Sequence, residues 1–283
     1  MDQQATVAIV YDFDGTLSVG NMQECEFIPA VGKSTSEFWS EADRIAHEND
    51  ADSVLSYMER MLTSAREAGF AITAPRLRAM GRNIQLFDGL DEWFERINNY
   101  GLSRGVRVQH YVNSSGIQEM IEGSPIADKF HKIYASAFLY DDKGEAYWPR
   151  VAINYTNKTQ FLFKINKGIE TVHDTTQVNA FSPREGRPIP FSRIIFVGDG
   201  ETDIPSMRLV HIMGGHSIAV YDPTRSDKRE DMVQLIRERR VNYVCEANYT
   251  PESEMNTLVE SIIDKIAADL KVASLQYDLC GGE

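Results

Sequence analysis

The sequence has little of what marks a disulfide-stapled, zinc-binding or membrane-embedded chain. Its three cysteines, Cys25, Cys245 and Cys280, are odd in number and far apart. With no CxxC pair and no histidine at ligand spacing, no disulfide framework or zinc site is readable. No apolar run of about 18 residues occurs, so no segment reads as a membrane-spanning helix. The opening Met1-Asp2-Gln3-Gln4 has neither the basic region nor the apolar core of a signal segment. A cytoplasmic protein with no membrane partner is therefore expected, and the sequons at Asn154 and Asn248 are then accidental. Positive charge is also short. Lys and Arg number 29 against 42 Asp and Glu, a formal net charge of −13, which argues against a nucleic-acid partner, because phosphate backbones are met by concentrated Lys and Arg. A small anionic substrate needs only local positive charge and stays open. There is no internal repeat and no low-complexity tract, and no protein partner is readable.

What is present supports a globular α/β chain. At 283 residues with 42% hydrophobic and 10% aromatic content, the length suggests about two domains with a real core. The chain is organised around residues 7 to 17. Val7-Ala8-Ile9-Val10 reads as a buried strand that ends in two carboxylates, Asp12 and Asp14, before Gly15 breaks the pattern. Ligands of open α/β sheets bind at the carboxyl ends of the strands. Paired carboxylates there raise each other's pKa unless a cation intervenes, and hard oxygen donors suit Mg²⁺. A carboxylate can also attack phosphorus as a covalent nucleophile.

From about residue 19 to 84 strand-like runs disappear. Phe38, Trp39, Ala42, Ile45 and Ala46 recur at helical spacing behind Ser34, Thr35 and Ser36. Val54, Leu55, Met58, Met61, Leu62 and Ala65 form a second stripe from Ser53 to Ala68, and a shorter helix runs from Thr73 to Gly81. The stripes read as packing. Arg66, Arg76, Arg78 and Arg82 stand out in an acidic chain, and Arg78 and Arg82 share a helix face. They are either a solvated face or speculative readers of a substrate anion.

A helix from Leu90 to Tyr100, ended by Gly101, precedes a strand over Val106–Val112. That strand stops at Asn113-Ser114-Ser115-Gly116 before a short helix, an order that cradles phosphate through hydroxyls and backbone N–H groups. Ser115 with Gln118 also fits a capping box. Asn113 has no evident role. Lys132–Ala137 reads as a strand, and Phe138–Val151 as a hairpin turning at Asp141-Asp142-Lys143-Gly144. Lys158 then opens a helix, where the macrodipole disfavours a cation unless something anionic compensates. Lys164 and Lys167 compete with it from the middle and end of that helix. Residues 179 to 192 read as an exposed loop. Arg193–Val197 is a second buried strand with an acidic end, Gly198-Asp199-Gly200-Glu201-Thr202-Asp203, although Asp203 could serve only as an N-cap. Strands over 217–221 and 241–245, a last helix to about Leu270 and a frayed Cys280-Gly281-Gly282-Glu283 complete the chain.

Asp12-Phe13-Asp14-Gly15-Thr16, Ser114, Lys158 and Gly198-Asp199-Gly200-x-x-Asp203 occur in order. The set resembles the four motifs of the haloacid dehalogenase (HAD) superfamily, in a phosphoserine-phosphatase-like layout. The resemblance implies a Rossmann-like parallel sheet core, residues 1–18 and 85–283, with an α-helical cap inserted at 19–84. It implies Asp12 as nucleophile and Asp14 as acid and base, with Ser114, its neighbour Ser115 and Lys158 binding phosphate. Mg²⁺ would be held by Asp12, Asp14 through its backbone carbonyl, Asp199 and Asp203. The implied reaction is hydrolysis of a small phosphorylated metabolite through an aspartyl-phosphate. Phosphotransfer by a mutase remains an alternative, as does a phosphorylatable receiver-like module, though receivers carry no cap and no Asp two positions after the nucleophile. A halide leaving group needs no acid, so Asp14 argues against dehalogenation. One departure concerns specificity: phosphoserine phosphatases carry a substrate-reading Glu nine residues after the nucleophile, where this chain has Asn21.

Overall fold

The computed structural model describes residues 4–181, 183, 186–225 and 228–279. The expectation for the last four residues lies outside them. The first strand, β1 (Thr6–Tyr11), is buried along its whole length, as a run of β-branched residues in the middle of a parallel sheet should be. Four short or medium helices precede a fifth: α1 (Met22–Cys25), α2 (Phe27–Ala30), α3 (Thr35–Asn49), α4 (Ser53–Glu67) and α5 (Ala74–Gly81). Their starts are chemically marked. Ser34, Asp52 and Thr73 each accept a backbone N–H of the first turn, from Glu37, Leu55 and Arg76, satisfying donors the helix itself cannot. Then follow α6 (Leu90–Ser103), β2 (Arg107–Ile117), α7 (Gln118–Gly123), β3 (Lys132–Tyr140), β4 (Ala146–Val151), α8 (Lys158–Lys167), α9 (Thr175–Asn179), β5 (Ile194–Gly198), α10 (Ile204–Ile212), β6 (His216–Tyr221), α11 (Lys228–Arg237), β7 (Tyr243–Glu246) and α12 (Glu254–Leu279).

The strands form one sheet in the order β4-β3-β2-β1-β5-β6-β7. All neighbours are parallel except the β3–β4 hairpin. The fold is thus a Rossmann-like α/β sheet with β1 at its centre. Strand order reverses at β1, so the crevice beyond its carboxyl end is where such a sheet binds ligands. The chain leaves and returns beside this point. Val19 N–H donates to the Gln85 carbonyl at 2.9 Å and Phe87 N–H to the Leu17 carbonyl at 3.0 Å, so the segments flanking the five helices are zipped together. One apolar cluster runs from Val7 and Ile9 through Phe27, Phe38 and Met58 to Leu77 and Trp93, packing the helices directly on the sheet.

Several boundaries differ from expectation for physical reasons. Helix α6 continues through Gly101 to Ser103, because Gly101 sits against Val106 and Val108 where a Cβ would not fit. Strand β2 continues to Ile117, and no capping box forms: Ile117 occupies the N-cap of α7 without a side-chain bond. The β2–β3 register shifts between Asn113 and Ile117. This irregularity leaves residues 114–116 unpaired with β3 at the strand end, the kind of device that re-aims side chains beside active sites. Leu55 is 44% exposed, whereas Tyr57 takes a buried place on α4. Helix α12 extends to Leu279, beyond Leu270.

Candidate active site

Three neighbouring strands bring the chemistry together. Parallel pairing of β1 with β5, extended by the Asp12 N–H to the Val197 carbonyl at 2.8 Å, places Asp12 beside the Gly198–Asp203 turn. Pairing of Tyr11 with Val112 places Asn113 and Ser114 on the other side. Carboxylate oxygens of Asp12, Asp199 and Asp203 lie within 4.8 Å of one another. Glycine makes this approach possible: Gly15 has φ +72°, and a Cβ there would collide with the Asp199 carboxylate.

Lys158, fully buried, spans the cluster. Its Nζ is 2.6 Å from Asp203 Oδ1 and 3.0 Å from Asp12 Oδ1. Burial pushes the ammonium pKa down, but the two carboxylates outweigh it and hold it above the usual lysine value. This is the anionic compensation that a cation at a helix start requires. Asp203 occupies the N-cap position of α10 without capping it; its carboxylate goes to Lys158 instead. The competing lysines are structural. Lys164 donates to the carbonyls of Thr171 and Asp174, and Lys167 to those of Val178 and Ala180.

The carboxylates are electrostatically crowded. Burial, then Asp12, pushes Asp14 up to about 8. Burial, then Asp12 and Asp203, raises Asp199, and burial with Asp12 raises Asp203 despite Lys158. Four carboxylates with one ammonium invite a divalent cation, and the only protein cation at the buried Asp12 Oδ1 among the described residues is the Lys158 ammonium that it shares with Asp203. The donor set of hard oxygens with no nitrogen or sulfur fits Mg²⁺. The Asp14 side chain stands apart from the cluster. Its Oδ1 accepts from the Met22 N–H at 2.9 Å and from Ser18 Oγ at 3.3 Å, so the remaining oxygen has no protein donor among the described residues.

Ser114 and Ser115 both line the chamber over these groups. Ser114 Oγ accepts the Gly116 N–H at 3.0 Å. Ser115 Oγ has no partner in the protein, leaving a hydroxyl to offer a ligand. Asn113 acquires a role that its sequence position did not reveal: its Nδ2 donates to the Lys158 carbonyl at 2.9 Å, tying β2 to the first residue of α8. The arginines do not join the site. Arg78 pairs with Glu122, Arg76 lies over Phe70, and Arg66 and Arg82 are exposed; among the described residues none of the four lines the chamber.

The helices supply the other wall. A cavity of about 460 Å³ runs from Asp12, Asp14, Ser114 and Asp199 to Asn21, Trp39, Asp43, Val54, Tyr57 and Tyr155. Tyr57 closes α4 onto the bulge by donating its hydroxyl to the Ser115 carbonyl at 2.5 Å. Helical spacing alone could not separate these lining residues from core, because both interrupt a polar face.

The sequence model of the haloacid dehalogenase-like hydrolases matches residues 9–208. An uncharacterised protein of Borreliella burgdorferi is 29% identical, the match covering 92% of this chain and 98% of that one. Among solved structures, a HAD family hydrolase of Salmonella enterica serovar Typhi superposes with a TM-score of 0.56 at 17% identity, covering 90% of this chain and 74% of that one. A phosphoserine phosphatase solved as a phospho-aspartyl intermediate analogue superposes with a TM-score of 0.52 at 17% identity, covering 85% and 93%. At such identities the likeness is one of fold.

Proposed function

Because the chain belongs to the haloacid dehalogenase-like hydrolase family, we propose that it is a Mg²⁺-dependent phosphatase acting on a small phosphomonoester through an aspartyl-phosphate. The observation that carries this reading is Lys158 Nζ bridging Asp12 and Asp203 beneath a cluster of three carboxylates at the sheet's switch point. Residues 19–84 act as a cap over a core of residues 1–18 and 85–283.

In this reading Asp12, Asp199, Asp203 and the Asp14 backbone carbonyl would hold Mg²⁺, which would supply positive charge to the transferring phosphoryl group. Lys158 neutralises Asp12 and steadies the bound phosphate. Ser114, Ser115 and the backbone N–H groups of the bulge receive the phosphate oxygens. Asp12 attacks phosphorus in line, forming a P–O bond as the ester P–O bond breaks. Asp14, whose raised pKa favours the protonated form at neutral pH, gives its proton to the leaving alkoxide. The same carboxylate then takes a proton from the water that hydrolyses the aspartyl-phosphate, a role worth about 10²- to 10⁴-fold in rate. An acid at this position supports an alcohol leaving group over a halide. The experiment is p-nitrophenyl phosphate turnover with Mg²⁺ by wild type and Asp12→Asn, beside circular dichroism. Asn is near-isosteric but forms no acyl-phosphate, so turnover is expected to vanish in a folded variant. Retained turnover would remove Asp12 as nucleophile.

A further inference from the structure

We infer that the non-reacting end of the substrate is a cation, so that the chamber takes the phosphate ester of an amino alcohol. The inference rests on the phosphatase reading and deepens it. The leaving group's direction follows from which residues share which cavity. Asp12, Asp14 and Ser114 all line the chamber beneath the helices. The neighbouring cleft of about 860 Å³ touches Gly15 and Asp199 but none of those three, and it is there that Arg225, Lys228 and Arg240 lie. Although the two spaces meet at Gly15, Gly20, Asp199 and Gly200, a phosphate on Asp12 whose ester oxygen meets Asp14 has its alcohol on the chamber side, where Asp14 lies, and not on the side of those basic residues.

The chamber wall has a definite chemistry. No Lys, Arg or His lines it among the described residues, and Lys158 below it is fully buried with its ammonium on Asp12 and Asp203. A carboxylate or second phosphate on the substrate would be desolvated there without a counter-charge, which is costly. What the helices do present is aromatic and acidic. Trp39 and Tyr57 meet edge to face, ring centroids 5.9 Å apart at 68°, and Tyr155, 51% exposed, stands at the mouth. Asp43 is exposed on α3 and makes no ion pair among the described residues. Aromatic π-surface beside an uncommitted carboxylate attracts an ammonium, with primary and quaternary forms both accommodated. Trp39 is held by its Nε1–H donating to Glu24 at 2.8 Å, so the wall is set before a ligand arrives.

The test compares kcat/KM with Mg²⁺ for phosphoethanolamine, phosphocholine, glycerol 3-phosphate, phosphoserine and 3-phosphoglycerate. Wild type is expected to favour an amino-alcohol ester about tenfold or more over glycerol 3-phosphate, and more strongly over the two carboxylates. Asp43→Asn and Tyr155→Leu alter exposed side chains, so folding is not at stake, and each is expected to shrink that preference several-fold. A better rate with glycerol 3-phosphate, phosphoserine or 3-phosphoglycerate, or an unchanged preference in both variants, overturns the inference. If wild type turns over neither these esters nor p-nitrophenyl phosphate, the phosphatase reading fails on its own. Calorimetric binding then decides the chamber: tighter binding of phosphocholine or phosphoethanolamine than of glycerol 3-phosphate supports a cation site, and equal or weaker binding refutes it.

Discussion

Replacing Lys158 by Met removes an ammonium but little volume, so it isolates the electrostatics of the site. The wild-type Nζ lies 2.6 Å from Asp203 and 3.0 Å from Asp12, and the side chain is fully buried. Removing one member of a buried ion pair and leaving the other costs about 3–5 kcal/mol. Proton uptake limits that loss. Protonating one carboxyl of ordinary pKa at pH 7 costs about 4 kcal/mol, at roughly 1.4 kcal/mol per unit between about 3.9 and 7, and at pH 5 it costs only about 1.5 kcal/mol. The variant should therefore lose about 3–4 kcal/mol of unfolding free energy at pH 7 without metal, and no more than about 1.5 kcal/mol at pH 5. Mg²⁺ should restore much of the loss at pH 7, since binding to the folded state alone adds stability. Urea unfolding of both proteins at the two pH values, with EDTA or Mg²⁺, reads this out. A loss that is equal at pH 5 and pH 7 and indifferent to Mg²⁺ would show that Lys158 matters through packing, and the charge argument would fall.

Asp14→Asn should damage turnover of alkyl phosphates more than that of acyl phosphates, because a better leaving group needs less protonation; equal losses in a steady-state comparison would remove Asp14 from the acid role. His110 is expected to make stability fall in acid. Its Nδ1 meets the Tyr11 hydroxyl at 3.1 Å and its Nε2 meets Asn98 Oδ1 at 3.2 Å, while burial pushes its pKa down to about 3. The folded state then stays neutral where an unfolded histidine of pKa about 6.5 charges, so stability is full above pH 6.5 and is lost toward pH 3. Between pH 7.5 and 5 the contribution is about 2 kcal/mol. His110→Gln should lack it, so parallel wild-type and variant unfolding curves over this range would count against the assignment.

The motifs were legible because their chemistry is local. A strand that ends in Asp12-Phe13-Asp14-Gly15 or in Gly198-Asp199-Gly200 announces an acidic strand end, and the family fold accounts for their meeting. Lys158 was legible as an anomaly, a cation where a helix begins. The hairpin turning at Asp141–Gly144 was likewise readable, since turn preferences act within a few residues, whereas Thr73, read as the first helical residue, is the N-cap of a helix that begins at Ala74.

What crosses between elements was not. Asn113 looks idle until α8 arrives to present the Lys158 carbonyl. Ser115 suits a capping box until pairing of β2 with β3 leaves residues 114–116 in a bulge. Arg78 looks like a substrate reader until α5 packs on α7 and gives it Glu122. Periodicity along α3 and α4 identifies a face, yet whether Trp39, Asp43 and Tyr57 meet core or cavity depends on the angle at which those helices cross the strand ends. By itself the sequence determined the acidic strand ends and the lysine at a helix start, because covalent neighbours set a strand end and the charge upon it. Tertiary packing alone decided the chamber's lining, because a cavity is the space between elements and no local preference encodes it.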